Sequence, residues 1–177
     1  MAKNPILTDR ERFLLKGLIE NKVMTRNQIH RQVFPSVGKK SLSRYLKRLL
    51  NIGFISDKMQ KRISKNDIFY ELTDSGLEYG MKIYDADFAQ KPTHSYTFEH
   101  DTGLVDIRYR IEKSKMLDLF YTENMLQCFS HLPSDERLKP FIDMKSDAAA
   151  FINMNGKLKS VAIEYEPTKK WIDRYRD

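Results

Sequence analysis

The chain has 177 residues, of which 41% are hydrophobic and 31% are charged, so it can form one domain of ordinary size or two small ones. No apolar run approaches the roughly 20 residues of a membrane span, and the polar start Met-Ala-Lys-Asn lacks the apolar segment of a secretory signal peptide. The single cysteine, Cys128, excludes an internal disulfide, which favours a reducing, cytoplasmic environment. We interpret Cys128 as a buried structural thiol rather than a nucleophile.

The charges are distributed unevenly along the chain. Residues 1–92 contain 18 Lys and Arg against 10 Asp and Glu, a net charge of +8, whereas residues 93–177 contain 13 against 14, a net charge of −1. A basic segment favours a polyanionic partner, and a nearly neutral one does not. The asymmetry therefore predicts two domains with different tasks.

The first three helices are predicted from capping and periodicity. Capping boxes at Thr8–Glu11 and Thr25–Gln28 each begin a helix. A third helix is predicted over residues 39–50, with leucines on one face and polar side chains on the other. The polar face of that helix consists of Lys39, Lys40, Ser43, Arg44, Lys47 and Arg48.

Two strand-like runs follow, over residues 54–59 and 68–72, and Thr73 caps a fourth helix. The tip between the strands contains the basic residues Lys61, Arg62 and Lys65. The order helix, helix, helix, hairpin, helix over residues 1–86 resembles a winged helix-turn-helix domain, with residues 39–50 as its recognition helix.

That resemblance implies double-stranded DNA as a partner. A recognition helix enters the major groove, while Lys and Arg side chains neutralise phosphates. Ser43, Arg44 and Lys47 are the first candidates for contacts to base edges. The alternative, a solvated basic helix in a protein-interaction module, stays open.

The second half begins after a predicted linker at residues 85–93. A helix is expected from Phe98, with His100 on its inward stripe as either a hydrogen-bonded core residue or a catalyst. A strand is predicted over residues 116–121 and a surface loop around Leu-Pro-Ser-Asp-Glu-Arg. A last helix is expected to begin at Thr168.

Asn155-Gly156 predicts a hairpin with a type I′ turn, because that turn needs positive φ at both central residues. This register pairs Met154 with Lys157 and places Asp147 opposite Glu164, with Glu166 diagonal to Asp147 on the same face. Opposed side chains lie about 5 Å apart at Cβ, and like charges there cost stability. We therefore expect Mg²⁺ or Mn²⁺ bound by Asp147, Glu164 and Glu166. A merely solvated hairpin end is the alternative.

Residues 94–177 resemble the core of restriction-endonuclease-like nucleases. The order of their predicted elements is helix, strand, hairpin and helix, with Asp on one strand and Glu-x-Glu on the next. The family motif is Pro-Asp, a variable gap, and then Asp/Glu-x-Lys. Ser146-Asp147 stands at the first place and Glu164-Tyr165-Glu166 at the second. The motif Lys, which positions the attacking water in that family, is absent, and Lys169 or Lys170 would have to replace it.

The combined pattern resembles the plasmid mobilisation and replication-relaxation group, which includes relaxases related to restriction endonucleases. The residues that carry this resemblance are the His100…Leu104-Val105-Asp106-Ile107-Arg108 run, Asp147, and Ala162-Ile163-Glu164-x-Glu166-x-Thr168-x-Lys170. The resemblance implies a cytoplasmic α+β protein that nicks one strand at a plasmid transfer origin, in a metal-dependent reaction. His100 and Lys170 would then join the three carboxylates as catalytic candidates.

Two other functions stay open. The chain could be a non-catalytic DNA-binding regulator or relaxosome accessory protein with a degenerate nuclease fold, which the missing motif Lys favours. It could also be a replication initiator. Because the last helix spans under three turns, with an unfinished inner stripe, we further expect the natural protein to continue past Asp177.

Overall fold

The computed structural model describes residues 5–59, 68–84, 87–95 and 97–166, which form a mixed α+β structure with two three-stranded antiparallel sheets. The elements of the first half are α1 (Asp9–Asn21), β1 (Val23–Thr25), α2 (Arg26–Gln28), a π-helical turn (Ile29–Val33), α3 (Lys39–Asn51), β2 (Ile55–Met59), β3 (Ile68–Leu72) and α4 (Asp74–Ile83). Those of the second half are α5 (Phe98–Lys113), β4 (Leu117–Thr122), α6 (Glu123–Cys128), a 3-10 turn (Leu132–Ser134), α7 (Lys139–Asp143), β5 (Ala148–Met154) and β6 (Lys157–Ile163). None of the helices described is long and apolar enough to cross a membrane.

Both predicted capping boxes are present and begin their helices. The side chain of Thr8 accepts from the Glu11 amide, and that of Thr25 accepts from the Gln28 amide. The resulting helices place their leucines inward, so α1 and α3 share one apolar core with α4. The predicted helices of this half, and the strands β2 and β3, are therefore confirmed.

The first sheet has the strand order β1-β3-β2. The three residues of β1, which the sequence analysis missed, pair with Phe69–Glu71 at the centre of the sheet. A strand this short carries no alternation that a sequence pattern could reveal. The predicted basic residues Lys61, Arg62 and Lys65 lie outside the described residues.

The second sheet has the order β4-β5-β6, with β5 in the centre. Four consecutive residues of β5, Ala148–Phe151, are buried, because both faces of this strand are covered. Ala148 and Ala150 pack near Ile111 of α5, whereas Ala149 and Phe151 join the core beneath α6 and α7.

The segment Leu-Pro-Ser-Asp-Glu-Arg, which we predicted to be a surface loop, lies largely at the surface. Pro133, Ser134, Glu136 and Arg137 are exposed. The prediction was wrong at Leu132, which is buried in the core of the second half and begins a 3-10 turn, Leu132–Ser134. Directly after the segment, Leu138 is also buried in that core and α7 begins.

The hairpin register is confirmed. Met154 pairs with Lys157 and Ala148 with Ile163. Asn155 and Gly156 have φ values of 55° and 79°, as a type I′ turn requires. The ladder ends at Ala148 and Ile163, one step before the predicted pair of Asp147 and Glu164. Asp147 turns its carboxylate to α5, the side on which Ala148 also packs, so the strict alternation of the strand does not continue to it.

Helix α5 lies between the two halves, and its most buried residues are Phe98, Asp101, Thr102 and Val105. Helical spacing predicts an inward stripe of His100, Leu104, Ile107 and Ile111, broadened by Val105 and Tyr109. Val105 is buried in the core of the first half, as predicted, and the other residues of the stripe are partly covered. The prediction missed Asp101 and Thr102. The cause is composition, because Asp101 and Thr102 are polar and give no hydrophobic signal.

Polar contacts fasten α5 to the first half. The side-chain amide of Gln28 donates to the Thr102 carbonyl at 2.8 Å and to the Asp106 carboxylate at 2.6 Å. Arg31 forms an ion pair with the same carboxylate. On the other side of the helix, Arg108 pairs with Glu20 at 2.7 Å. These bonds tie α5 to the segment that immediately precedes α3.

Candidate functional site

The first candidate surface is the outer face of α3, which we call the α3 basic surface. It consists of Lys39, Lys40, Arg44 and Lys47, and all four are exposed. None of them has an ion-pair partner within the part of the chain that the structure describes. The opposite face of α3 buries Leu42, Leu46 and Leu49, which fixes the outward direction of the cations.

Two other predicted residues of this helix make contacts within the protein. The Ser43 hydroxyl donates to the Lys39 carbonyl at 2.8 Å and accepts from the Arg26 guanidinium. Arg48 forms an ion pair with Glu11 and donates to the Ile6 carbonyl at 2.8 Å. Whether either residue also contacts a ligand stays a prediction.

Glu11 explains why Arg48 is held so firmly. Its carboxylate is almost completely buried. Burial alone would raise the pKa of Glu11, but hydrogen bonds from the Thr8 amide and the Arg48 guanidinium lower it below its usual range. Arg48 therefore stabilises the N-terminus of α1, unlike the four cations of the α3 basic surface beside it.

The second candidate site is the Asp147 centre, formed by His100, Asp101, Asp147 and Tyr165. The His100 ring lies between two carboxylates, with Nδ1 3.1 Å from Asp101 Oδ1 and Nε2 3.0 Å from Asp147 Oδ2. The backbone N–H of Tyr165 donates to the same Asp147 oxygen at 2.7 Å. Helix α5 thus supplies two residues, and the ends of the hairpin supply the other two.

Gly103 provides the space for the Tyr165 ring. A Cβ atom at Gly103 would lie 2.2 Å from Cε1 of Tyr165, well inside van der Waals contact. The Tyr165 and His100 rings are 5.8 Å apart at their centroids. The absent side chain at Gly103 therefore lets Tyr165 pack beside His100.

The electrostatics of this centre favour a charged imidazolium. Hydrogen bonds to Asp101 and then to Asp147 raise the pKa of His100 to about 10, against the opposing effect of burial. Burial alone would raise the pKa of Asp147, but the hydrogen bonds from His100 and from the Tyr165 amide lower it below its usual range. At neutral pH the centre therefore contains a positive His100 between two carboxylates.

This pairing predicts a specific pH dependence of stability. A raised histidine pKa stabilises the fold fully below the unfolded value near 6.5, and the effect is lost as pH rises toward about 10. We expect the free energy of unfolding to fall by roughly 2 kcal/mol over that range because of His100. Denaturant titrations of wild type and His100→Gln at several pH values measure this fall. The free energy of unfolding of the variant should depend less on pH than that of wild type. Equal pH dependence in the two proteins would show that His100 is not held as a cation.

The outcome for the predicted metal ligands is mixed. Asp147 is partly buried, whereas Glu164 and Glu166 are exposed. Within residues 5–59, 68–84, 87–95 and 97–166, no group of three or more His, Cys, Asp and Glu side chains is placed to hold a metal ion. Mg²⁺ in phosphate-processing sites often takes one or two carboxylates, with waters and substrate oxygens completing its shell. The carboxylates of Asp147 and Glu164 fit such an ion by donor type.

The sequence analysis missed Lys22, which lines the same cleft as Asp101 and Asp147. Its side chain is only 12% exposed and forms an ion pair with Glu123, and its charge contributes to the lowered pKa of Asp147. Lys22 adopts a φ of 63° just after α1, a conformation that few lysines take. No local pattern marks it, because it reaches the centre from the other half of the chain.

Two further predicted residues have simple outcomes. Cys128 is buried, and burial raises the pKa of its thiol to about 11, so it is held as a thiol at neutral pH, in agreement with a structural role. Lys170, the proposed replacement for the missing motif Lys, lies outside the described residues, as does the predicted last helix. Lys22 is the lysine that lines the same cleft as Asp147.

No protein-family model matches this chain, and no curated protein is significantly similar to it. The α3 basic surface and the Asp147 centre are therefore the features from which a function can be proposed.

Proposed function

We propose that this protein binds duplex DNA through a winged helix-turn-helix domain, with α3 as its recognition helix. The observation that carries the proposal is the α3 basic surface, a row of exposed cations without ion-pair partners among the described residues. Exposed cations of this kind neutralise phosphates and release counterions. The contact between α3 and β2 supports the proposal, because β2 and β3 form an antiparallel pair beside that helix, as the strands of a wing would.

We further propose a second function, in which the Asp147 centre nicks one DNA strand. The protein would then be a cytoplasmic plasmid relaxase. The observation that favours it is the confirmed hairpin register, whose last pair, Ala148 with Ile163, is flanked by Asp147 and Glu164 at one end of the hairpin. These two residues, with Glu166, would hold Mg²⁺ or Mn²⁺. The ion would supply an activated water and stabilise charge on the phosphate.

The residues of the protein have definite parts in this proposal. Asp147 is kept ionised by His100 and by the Tyr165 amide, which keeps it able to bind a cation. Lys22 brings a positive charge to the same cleft and takes the place of the missing motif Lys. His100 holds a proton at Nε2, directed at Asp147.

The non-catalytic regulator also has an observation in its favour. One oxygen of Asp147 is already engaged by both His100 and the Tyr165 amide, and an ion pair of this kind can be purely structural. In that case the chain would bind DNA without cutting it.

Two assays on the purified protein separate these functions. Binding to labelled duplex DNA, measured by fluorescence anisotropy across a range of salt concentrations, tests the first proposal, and salt-independent or absent binding contradicts it. Supercoiled plasmid with a candidate transfer origin, incubated with Mn²⁺ or with EDTA, tests the second. Metal-dependent open-circle product supports nicking, whereas binding without relaxation supports the regulator.

A further inference from the structure

A second group of exposed cations lies at one end of the second sheet, and we call it the sheet tip. The second half of the chain is nearly neutral in charge, yet five of its cations gather here. They are Arg110, Lys113, Lys115, Lys157 and Lys159. This group lies outside the basic half on which the DNA-binding prediction was based.

The fold brings these residues together from distant parts of the sequence. Helix α5 ends at Lys113, and β4 starts four residues later. The backbone N–H of Asn153 donates to the Met116 carbonyl at 2.8 Å. Lys157 pairs with Met154 across the hairpin turn. The end of α5, the start of β4 and the β5–β6 turn therefore form one end of this half.

The cations of the sheet tip are available to a partner. All five are exposed, and none has an ion-pair partner among the residues that the structure describes. Two carboxylates are nearby in the chain: Glu112, which is bonded to Arg108 at 2.9 Å, and the exposed Asp118. The excess positive charge makes a polyanion the complementary partner.

The sheet tip is also close to the segment that leads into α3. The ring of Tyr109 lies under two cations, with the Arg31 guanidinium 4.7 Å and Lys113 Nζ 5.5 Å from its centroid. Lys113 is therefore within about 10 Å of Arg31, which belongs to the π-helical turn before α3. In the same π-helical turn, Nε2 of His30 lies 2.8 Å from the Val37 carbonyl oxygen, next to the start of α3.

We propose that the sheet tip is a second contact to the phosphate backbone of the same DNA duplex that α3 binds. This inference rests on the proposed DNA-binding function. The tip would add non-specific affinity, since contacts to phosphates position a protein without reading sequence. It would also hold the second half against the duplex rather than leaving it free.

The test uses the full chain with Lys113→Ala, Lys157→Ala and Lys159→Ala combined. Arg110 and Lys115 are retained, the latter because its φ of 59° marks a turn that is better left intact. We expect affinity for duplex DNA to fall about 10-fold near 0.15 M salt, and the salt slope to fall by about 2 to 3 units, at about 0.9 for each phosphate contact that is lost. Arginine at the same three positions should restore both quantities.

A matched control separates local contacts from a general loss of charge. Lys82→Ala, Lys91→Ala and Lys139→Ala remove three exposed lysines outside both basic surfaces, and this variant should keep the wild-type salt slope. If the tip variant also keeps it, while an α3 variant loses binding, the tip proposal fails and the DNA-binding function survives. If the wild type does not bind duplex DNA, both fail.

One other partner of the same charge can be distinguished. The tip also exposes Met116, Met154 and Leu158, each 45–48% accessible, and basic surfaces with apolar side chains can bind anionic membranes. Sedimentation with vesicles of equal phosphatidylserine and phosphatidylcholine provides the comparison. Vesicle binding that the tip variant loses, together with unchanged DNA binding, would overturn the proposal in favour of a membrane contact.

Discussion

Replacing Lys40, Arg44 and Lys47 together with alanine is expected to weaken binding to duplex DNA by about 100-fold near 0.1 M salt. The three side chains are exposed on the outer face of α3, where each can neutralise a phosphate. At about 0.9 units for each phosphate that is no longer neutralised, the slope of log affinity against log salt should fall by about 2 to 3 units. Anisotropy titrations across a series of salt concentrations measure both quantities.

The substitutions should not disturb the fold, because the opposite face of α3 provides its packing and alanine is a good helix former. Circular dichroism and thermal unfolding of the variant check this directly. The matched control is again Lys82→Ala, Lys91→Ala and Lys139→Ala, which removes the same charge elsewhere. An unchanged salt slope in the α3 variant would exclude this helix from the DNA interface.

Asp147→Ala and Glu164→Ala are each expected to abolish nicking of supercoiled plasmid, by about 1,000-fold or more, while DNA binding stays within a few-fold of wild type. Both residues lie in the nearly neutral half, away from the α3 basic surface. Removal of either carboxylate would weaken the binding of a divalent cation and change the position of the water that it would activate. The rate of open-circle product in Mn²⁺ measures the effect.

Asp147 also stabilises the fold, so its variant needs a structural control. Asp147→Ala leaves a buried imidazolium with one carboxylate fewer, and we expect a lower melting temperature than for the exposed Glu164→Ala. Asp143→Ala, which removes an exposed carboxylate at the end of α7, should retain both nicking and stability. Loss of DNA binding together with nicking would show that Asp147 and Glu164 are structural residues.

Short-range patterns predicted much of the fold. The Thr8 and Thr25 capping boxes, the leucines of α3 and the Asn155-Gly156 turn each act over a few residues, so their outcome depends little on the rest of the chain. The turn alone sufficed to set the register of β5 and β6, because alternation carries it along both strands. The same register predicted that Asp147 and Glu164 lie at one end of the hairpin, where they flank its last pair, Ala148 with Ile163.

Long-range packing decided the remaining features. Lys22, Asp101 and Asp147 meet only because α5 is buried on both sides, against the first half and against the second sheet. The Arg48–Glu11 pair likewise joins residues 37 positions apart, which leaves Arg48 stabilising a helix while its neighbour Lys47 stays exposed. Such pairings depend on which helix faces pack against each other. Polar side chains that become buried in this packing give no periodic hydrophobic signal in the sequence. The sequence alone thus determined the longer helices, most of the strands and the hairpin register, whereas the tertiary structure decided which charges are paired within the protein and which are presented to a partner.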